Sequence, residues 1–222
     1  MSDDLRELFA KAKGVAATAR VTWSHKMGSH GEPAPSSAPW GLDALRGRLV
    51  ELSARGATAI LTTAIELVLE AQQATEPVAW VTLGNATFYP PDVADSGVDL
   101  AALAVVRVHD ATAAVRAAER LLRSGGFGLV VLDFGGGAPV DVPIAHQGRL
   151  ITLAQAHDAA VVCLTEKPSE APSIGSLVSL RAEALRLHGS EHDFQVTLRV
   201  LKDKRRGPGF SRTTKLRGPS GL

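Results

Sequence analysis

Three short runs in this chain are apolar almost from end to end: Val78 to Leu83, Gly128 to Asp133 and Ala159 to Leu164. A strand with one wet face alternates apolar and polar side chains. Runs like these therefore belong to strands covered on both faces, as in a parallel sheet between helical layers. Arg48 to Ser53 and Leu103 to Val108 read as two further strands. Ala57 to Gln73, Ala111 to Arg123 and about Gln147 to His157 read as amphipathic helices that cover them. The pattern predicts an α/β fold with a mostly parallel central sheet flanked by helices.

The periodicity then changes. Leu177 to Leu187 and Asp193 to Leu201 alternate in polarity, with Gly189, Ser190 and Glu191 between them, which predicts an antiparallel hairpin at one sheet edge. The 222 residues suit one domain with appendages. Residues 1–27 are expected to hold an N-terminal helix, capped by Ser2 and carrying Leu5, Leu8 and Phe9 on one face. Residues 28–40, with three prolines and little to bury, read as a flexible linker. The core is expected over 41–201, and 202–222, basic and rich in Gly and Pro, as a disordered tail.

A formal net charge of +1 conceals an uneven distribution. From Arg199 to Arg217 eight cations face the single acid Asp203, a local balance of +7, so the remainder carries −6. An acidic body with a basic end presents opposite potentials to different partners. The lone cysteine, Cys163, permits no internal disulfide and fits a reducing compartment. No apolar run approaches the ~18 residues of a membrane span, so a cytoplasmic protein is expected.

The strand, turn and helix around residues 48 to 72 stand where parallel α/β proteins commonly hold nucleotide phosphates. A working phosphate loop needs glycines, free amides, a lysine, and a Ser or Thr for magnesium. Here the turn reads Ala54-Arg55-Gly56-Ala57-Thr58-Ala59-Ile60-Leu61-Thr62, and the chain has no lysine between Lys26 and Lys167. Weaker patterns carry less. Asp133-Phe134-Gly135 matches a kinase triplet without its companion motifs. The pairs His25/His30 and His188/His192 lack further metal ligands at a convincing spacing. No Gly-x-Ser-x-Gly elbow is present.

Residues 47 to 72, Gly-Arg-Leu-Val-Glu-Leu through Glu-Ala-Gln, resemble without a gap the strand, P-loop and helix of RecA-type recombinases. Further cues follow in the same order: Gly97-Val98-Asp99-Leu100, then Arg123-Ser124-Gly125 with Leu129-Val130-Val131-Leu132-Asp133, then Val200-Leu201-Lys202-Asp203-Lys204. The resemblance covers about residues 41 to 210 and implies a RecA-like core. In its register the loop glycines become Ala54 and Ala59, the phosphate lysine Ile60 and the magnesium hydroxyl Leu61. Ala in a left-handed turn costs about 1–2 kcal/mol. The catalytic glutamate becomes Asn85 and the γ-phosphate sensor Glu166, so neither supplies its chemistry. Asp133 survives at the Walker B position. It reads either as a magnesium ligand or, preferably without a phosphate lysine, as a strand-end carboxylate capping nearby amides.

A RecA-like frame with a disabled phosphate turn, together with Tyr89-Pro90-Pro91-Asp92-Val93-Ala94 before Gly97, resembles the ImuA family, the RecA-like accessory proteins of bacterial mutagenesis cassettes, also described as SulA-like. The resemblance implies a non-enzymatic role without cofactor or metal in damage-induced translesion synthesis. The implied partners are ImuB and RecA, with an error-prone C-family polymerase reached indirectly, and restraint of RecA filaments is one expected action. Alternatives are a SulA-like division inhibitor that binds FtsZ and a weak nucleotide- or DNA-binding RecA paralogue. Leu5, Leu8 and Phe9 either pack within the chain or dock on RecA or a second copy, which would make a homo-oligomer.

The resemblance places DNA-contacting loops at Gly135 to Gln147 and Lys167 to Ile174, both short and the first without a basic residue, so strand exchange is not expected. Lys202, Lys204, Arg205, Arg206, Arg212, Lys215 and Arg217 are read as a contact for an acidic protein surface or for weak, sequence-independent binding of DNA. Phe210 is the sole aromatic residue among them, which argues against base stacking.

Overall fold

In a computed structural model the described residues are 40–84, 88–135, 139–188 and 193–217. They form one eight-stranded sheet between helical layers. The strands are β1 (Arg48–Ala54), β2 (Val78–Leu83), β3 (Leu103–Val108), β4 (Leu129–Asp133), β5 (Ala160–Glu166), β6 (Leu180–His188), β7 (Asp193–Asp203) and β8 (Ser211–Arg217). The helices are α1 (Leu42–Leu45), α2 (Ile60–Gln73), α3 (Pro90–Asp95), α4 (Ala111–Arg123) and α5 (Ile144–Ala156). Sheet order is β3-β2-β4-β5-β1-β6-β7-β8. The first six in that order run parallel, and β7 and β8 are antiparallel to their neighbours. This is the expected α/β class, with the antiparallel strands at one edge and an arrangement consistent with a RecA-like core.

The apolar runs are apolar because both faces are buried. Leu129 and Val131 pack with α2, Trp40, Leu42 and Leu45 on one side of the sheet. Val130 and Leu132 pack with α4 and α5 on the other. Asp110 starts α4, accepting a hydrogen bond from the Ala113 amide at 2.7 Å, the usual role of Asp at a helix N-cap.

Several boundaries differ from expectation. Helix α2 begins at Ile60 and not Ala57, because Ala57 and Thr58 are held against β6. Helix α5 begins at Ile144, just after Pro143, three residues earlier than its periodicity suggests. Trp40, assigned to the linker, is a buried core residue.

The largest correction concerns the C-terminal segment. Ser211–Arg217, expected to be disordered, forms β8 and pairs with β7 from Asp193↔Arg217 to Arg199↔Ser211. Gly207 and Gly209 take φ of +80° and +110° in the connecting turn, a region that favours glycine. The Val200 amide donates to the Phe210 carbonyl at 2.8 Å, and Phe210 and Leu216 pack on the core. The core therefore runs to Arg217, and a boundary at 201 would cut through β7. The N-terminal helix and nearly all of the linker lie outside the described residues.

Candidate functional site

In parallel sheets ligands settle beyond the carboxyl ends of the strands. Register brings the sequence-predicted positions to that edge: Ala54 lies opposite Glu166, Leu164 opposite Asp133, and Thr82 opposite Asp133. Ala59 and Ile60 open α2 at the same edge. Ala54, Ala59, Ile60, Leu61, Asp133 and Glu166 are thus brought to one end of the sheet, while Asn85 lies outside the described residues.

The turn after β1 is closed onto β6. The Ala59 amide donates to the Ala184 carbonyl at 3.0 Å, and the Arg186 amide donates to the Ala57 carbonyl at 2.8 Å. The Thr58 amide donates to the Gly56 carbonyl, and the Ile60 amide to the Thr58 hydroxyl at 3.2 Å. Amides that cradle a phosphate must face an open cavity. Here three of them are engaged within the protein. Ile60, which the RecA resemblance sets at the place of the phosphate lysine, is buried; Leu61, which it sets at that of the magnesium hydroxyl, is 38% exposed; and Glu166 adds an exposed carboxylate. Arg55 is the turn's one cation and lies exposed.

Asp133 is buried at the end of β4. Its Oδ2 accepts from Trp80 Nε1 and Thr82 Oγ1, each at 3.3 Å, and its Oδ1 from the Gly135 amide at 3.1 Å. Burial raises the carboxyl above its ordinary pKa, with these three donors opposing the rise. At the strand end the carboxylate thus serves one backbone amide and two side-chain donors. Asp133→Ala is expected to cost about 1–3 kcal/mol, chiefly by leaving the Trp80 N–H buried without an acceptor; urea denaturation checks it.

Sequence reasoning missed a buried ionic cluster on β1 and β6. Glu51, fully buried, accepts from Thr165 Oγ1 at 2.8 Å and the Ile174 amide at 3.0 Å, and pairs with Lys167 Nζ at 2.5 Å. Arg181, 4% exposed, donates from Nε to Ser53 Oγ at 3.1 Å and from its other nitrogens to the carbonyls of Pro168 and Ala171. Lys167 Nζ also donates to the Pro172 carbonyl at 2.7 Å. The Lys167 to Ile174 loop, where the RecA resemblance puts a DNA-contacting loop, is thereby tied to the body at several points. A charged residue inside an apolar strand such as Arg48-Leu49-Val50-Glu51-Leu52 was the available signal, since a buried charge needs a partner.

The basic segment is largely built into the fold. Arg199 pairs with Glu183 at 2.7 Å and Arg212 with Glu66 at 3.1 Å. Lys204 Nζ donates to the Ser176 carbonyl at 2.8 Å. Lys202 is half-buried, and burial, with Lys204 nearby, lowers its pKa. Asp203 pairs with Leu180, at the amino end of β6. Lys202 and Lys204 thus sit at the opposite end of the sheet from the turn after β1. Arg205, Arg206 and Lys215 have exposed side chains. Leu5, Leu8, Phe9, His25, His30 and His192 lie outside the described residues.

Among the described residues no helix is long and apolar enough to cross a membrane. No protein-family model matches the chain, and no curated protein matches it either.

Proposed function

We propose that this protein is a catalytically silent, RecA-like accessory factor of damage-induced translesion synthesis that acts by binding ImuB, RecA or both. The observation that carries the silent part is the closed turn. The amides of Thr58, Ala59 and Ile60 are already bonded within the protein, and Ile60 fills the place of the phosphate cation. Refilling that turn with phosphate would require breaking its contacts with β6 and supplying a positive charge. The pathway rests on the ordered resemblance from Gly47 to Lys204 and on the RecA-like strand order.

Two measurements test the two halves separately. Titration with ATP and magnesium is expected to give no saturable binding in the low-micromolar range. Saturable binding abolished by Asp133→Ala would refute the silent site. Capture from DNA-damaged cells with full-length protein is expected to recover RecA or ImuB. Recovery of FtsZ without either would overturn the proposed pathway. Deleting the residues after Leu201 is not a clean control, because it removes β8 and Asp203. Neutralising Arg205 and Lys215, whose side chains are exposed, asks the same question with β8 and Asp203 in place.

A further inference from the structure

The sheet separates two helical layers of opposite charge. Helices α1, α2 and α3 pack on one side and carry Asp43, Glu66, Glu70, Asp92 and Asp95 with no lysine or arginine. Helices α4 and α5 pack on the other side and carry Arg116, Arg120, Arg123 and Arg149, with Glu119 as their one acid. Glu119 is 7% exposed and already engaged, by His146 Nδ1 at 2.6 Å and by Arg149 at 3.7 Å.

The other three arginines are placed differently. Positions i, i+4 and i+7 share one face of a helix, and on α4 that face is the exposed one, away from the buried Ala114, Val115, Ala118 and Leu122. Among the described residues none of Arg116, Arg120 and Arg123 has an ion-pair partner. The C-terminal cations contrast with them, since Arg199 and Arg212 are each held by an acid of the body. At the helical rise the stripe runs about 10 Å, a length over which one DNA strand carries about three phosphates.

We propose that the exposed face of α4 binds the backbone of duplex DNA without reading its sequence, with Arg116, Arg120 and Arg123 each meeting a phosphate. The planar guanidinium fork matches phosphate oxygens, and an aligned stripe of such groups is the electrostatic footprint of a backbone contact. Neither α4 nor α5 contains an aromatic residue, so the bases of a single strand have nothing there to stack on. A duplex needs no such platform and offers the higher density of charge. The acids of α1, α2 and α3 lie across the sheet and repel the same polymer, which leaves α4 and α5 as the docking side. This inference rests neither on the nucleotide-site reading nor on the pathway, and it assigns DNA contact to a different element from the C-terminal cations.

The test uses full-length protein, a fluorescein-labelled duplex of twenty base pairs and the matching single strand, followed by fluorescence anisotropy. The duplex is expected to bind saturably and more tightly than the single strand. Raising salt from about 50 to 200 mM should weaken it about fortyfold, the effect of a slope near −0.9 for each of three phosphates. Arg116→Gln, Arg120→Gln and Arg123→Gln together should weaken duplex binding more than about tenfold at the lower salt. Each single change should lower the salt slope by about 0.9, with circular dichroism unchanged because the side chains are exposed. Arg205→Gln with Lys215→Gln, outside this layer, should leave the affinity as it was.

No saturable duplex binding, single-strand binding as tight as duplex binding, or slopes that the three single changes do not move overturns the proposal. So does a loss of binding with the Arg205 and Lys215 pair and not with the α4 triple. If the triple change alters the sedimentation coefficient of the DNA-free protein, the stripe is a contact between copies of this chain, which also refutes the DNA assignment.

Discussion

Asp203→Ala is expected to cost about 3–5 kcal/mol of folding free energy, the range for breaking a buried ion pair by removing one partner. Asp203 closes β7 and accepts from Arg48 Nη2 at 2.6 Å, with both side chains essentially buried. Arg48 opens β1 and also donates to Ser179 Oγ, the Ser179 carbonyl and the Ala44 carbonyl. Removing the carboxylate leaves a buried guanidinium facing neutral acceptors alone. The double replacement Arg48→Met with Asp203→Leu is expected to be milder than Asp203→Ala, because it buries apolar surface and no charge. If the single and double variants unfold at the same urea concentration as the parent, the pair contributes nothing to stability.

The same pair sets a pH dependence. Burial alone would raise the Asp203 carboxyl, but the Arg48 guanidinium and the amides of Arg205 and Arg206 outweigh it and hold the pKa below the ordinary value. A carboxyl with a depressed folded pKa adds stability above its unfolded pKa of about 3.9 and loses it as pH falls through the folded value. Asp133, raised by burial, acts in the opposite sense: its contribution is present in acid and lost as pH rises through its folded value. Comparing Asp203→Asn with the parent between pH 3 and 7 should show a flatter acid limb for the variant.

How far the sequence could be read depended on whether a feature's partners were local. The strands at Val78–Leu83 and Leu129–Asp133 were legible because burial on both faces writes itself into every residue of the run. Strand β8 was not, since Ser211-Arg212-Thr213-Thr214-Lys215-Leu216-Arg217 buries little and its charges look solvated. Yet Arg212 meets Glu66 from 146 positions away, and Thr197 and Thr213 share a hydroxyl contact at 3.0 Å across the strands. That the turn holds no lysine, with Ile60 in its middle, could be read residue by residue. The closure of the turn could not, because it depends on Ala184 and Arg186 in a distant strand. Reading 199–217 as a free +7 segment failed for the same reason: Arg199 and Arg212 each have an acid in the body, and Asp203 serves Arg48.

Glu51→Ala is expected to have an effect of similar size, about 3–5 kcal/mol, but with a different local signature. Its carboxylate is fully buried and joins three elements: β5 through Thr165, the Lys167 to Ile174 loop through Lys167 and the Ile174 amide, and β6 through Arg181 at 4.0 Å. Alanine would leave the buried Arg181 and the Ile174 amide without the carboxylate, and the partly exposed Lys167 without its ion partner. For a chain of this length that loss corresponds to a fall in Tm on the order of 10 °C. Glu51→Gln keeps an acceptor for Thr165 and Ile174 but not the charge opposite Lys167, so an intermediate loss is expected. Because the cluster is what ties the loop down, amide exchange at residues 168–176 should accelerate more than exchange in β2 or β4, which the cluster does not touch. A uniform acceleration across the sheet would instead assign Glu51 to global stability alone. Unchanged exchange in the loop would mean that Arg181, through the Pro168 and Ala171 carbonyls, holds it without the carboxylate.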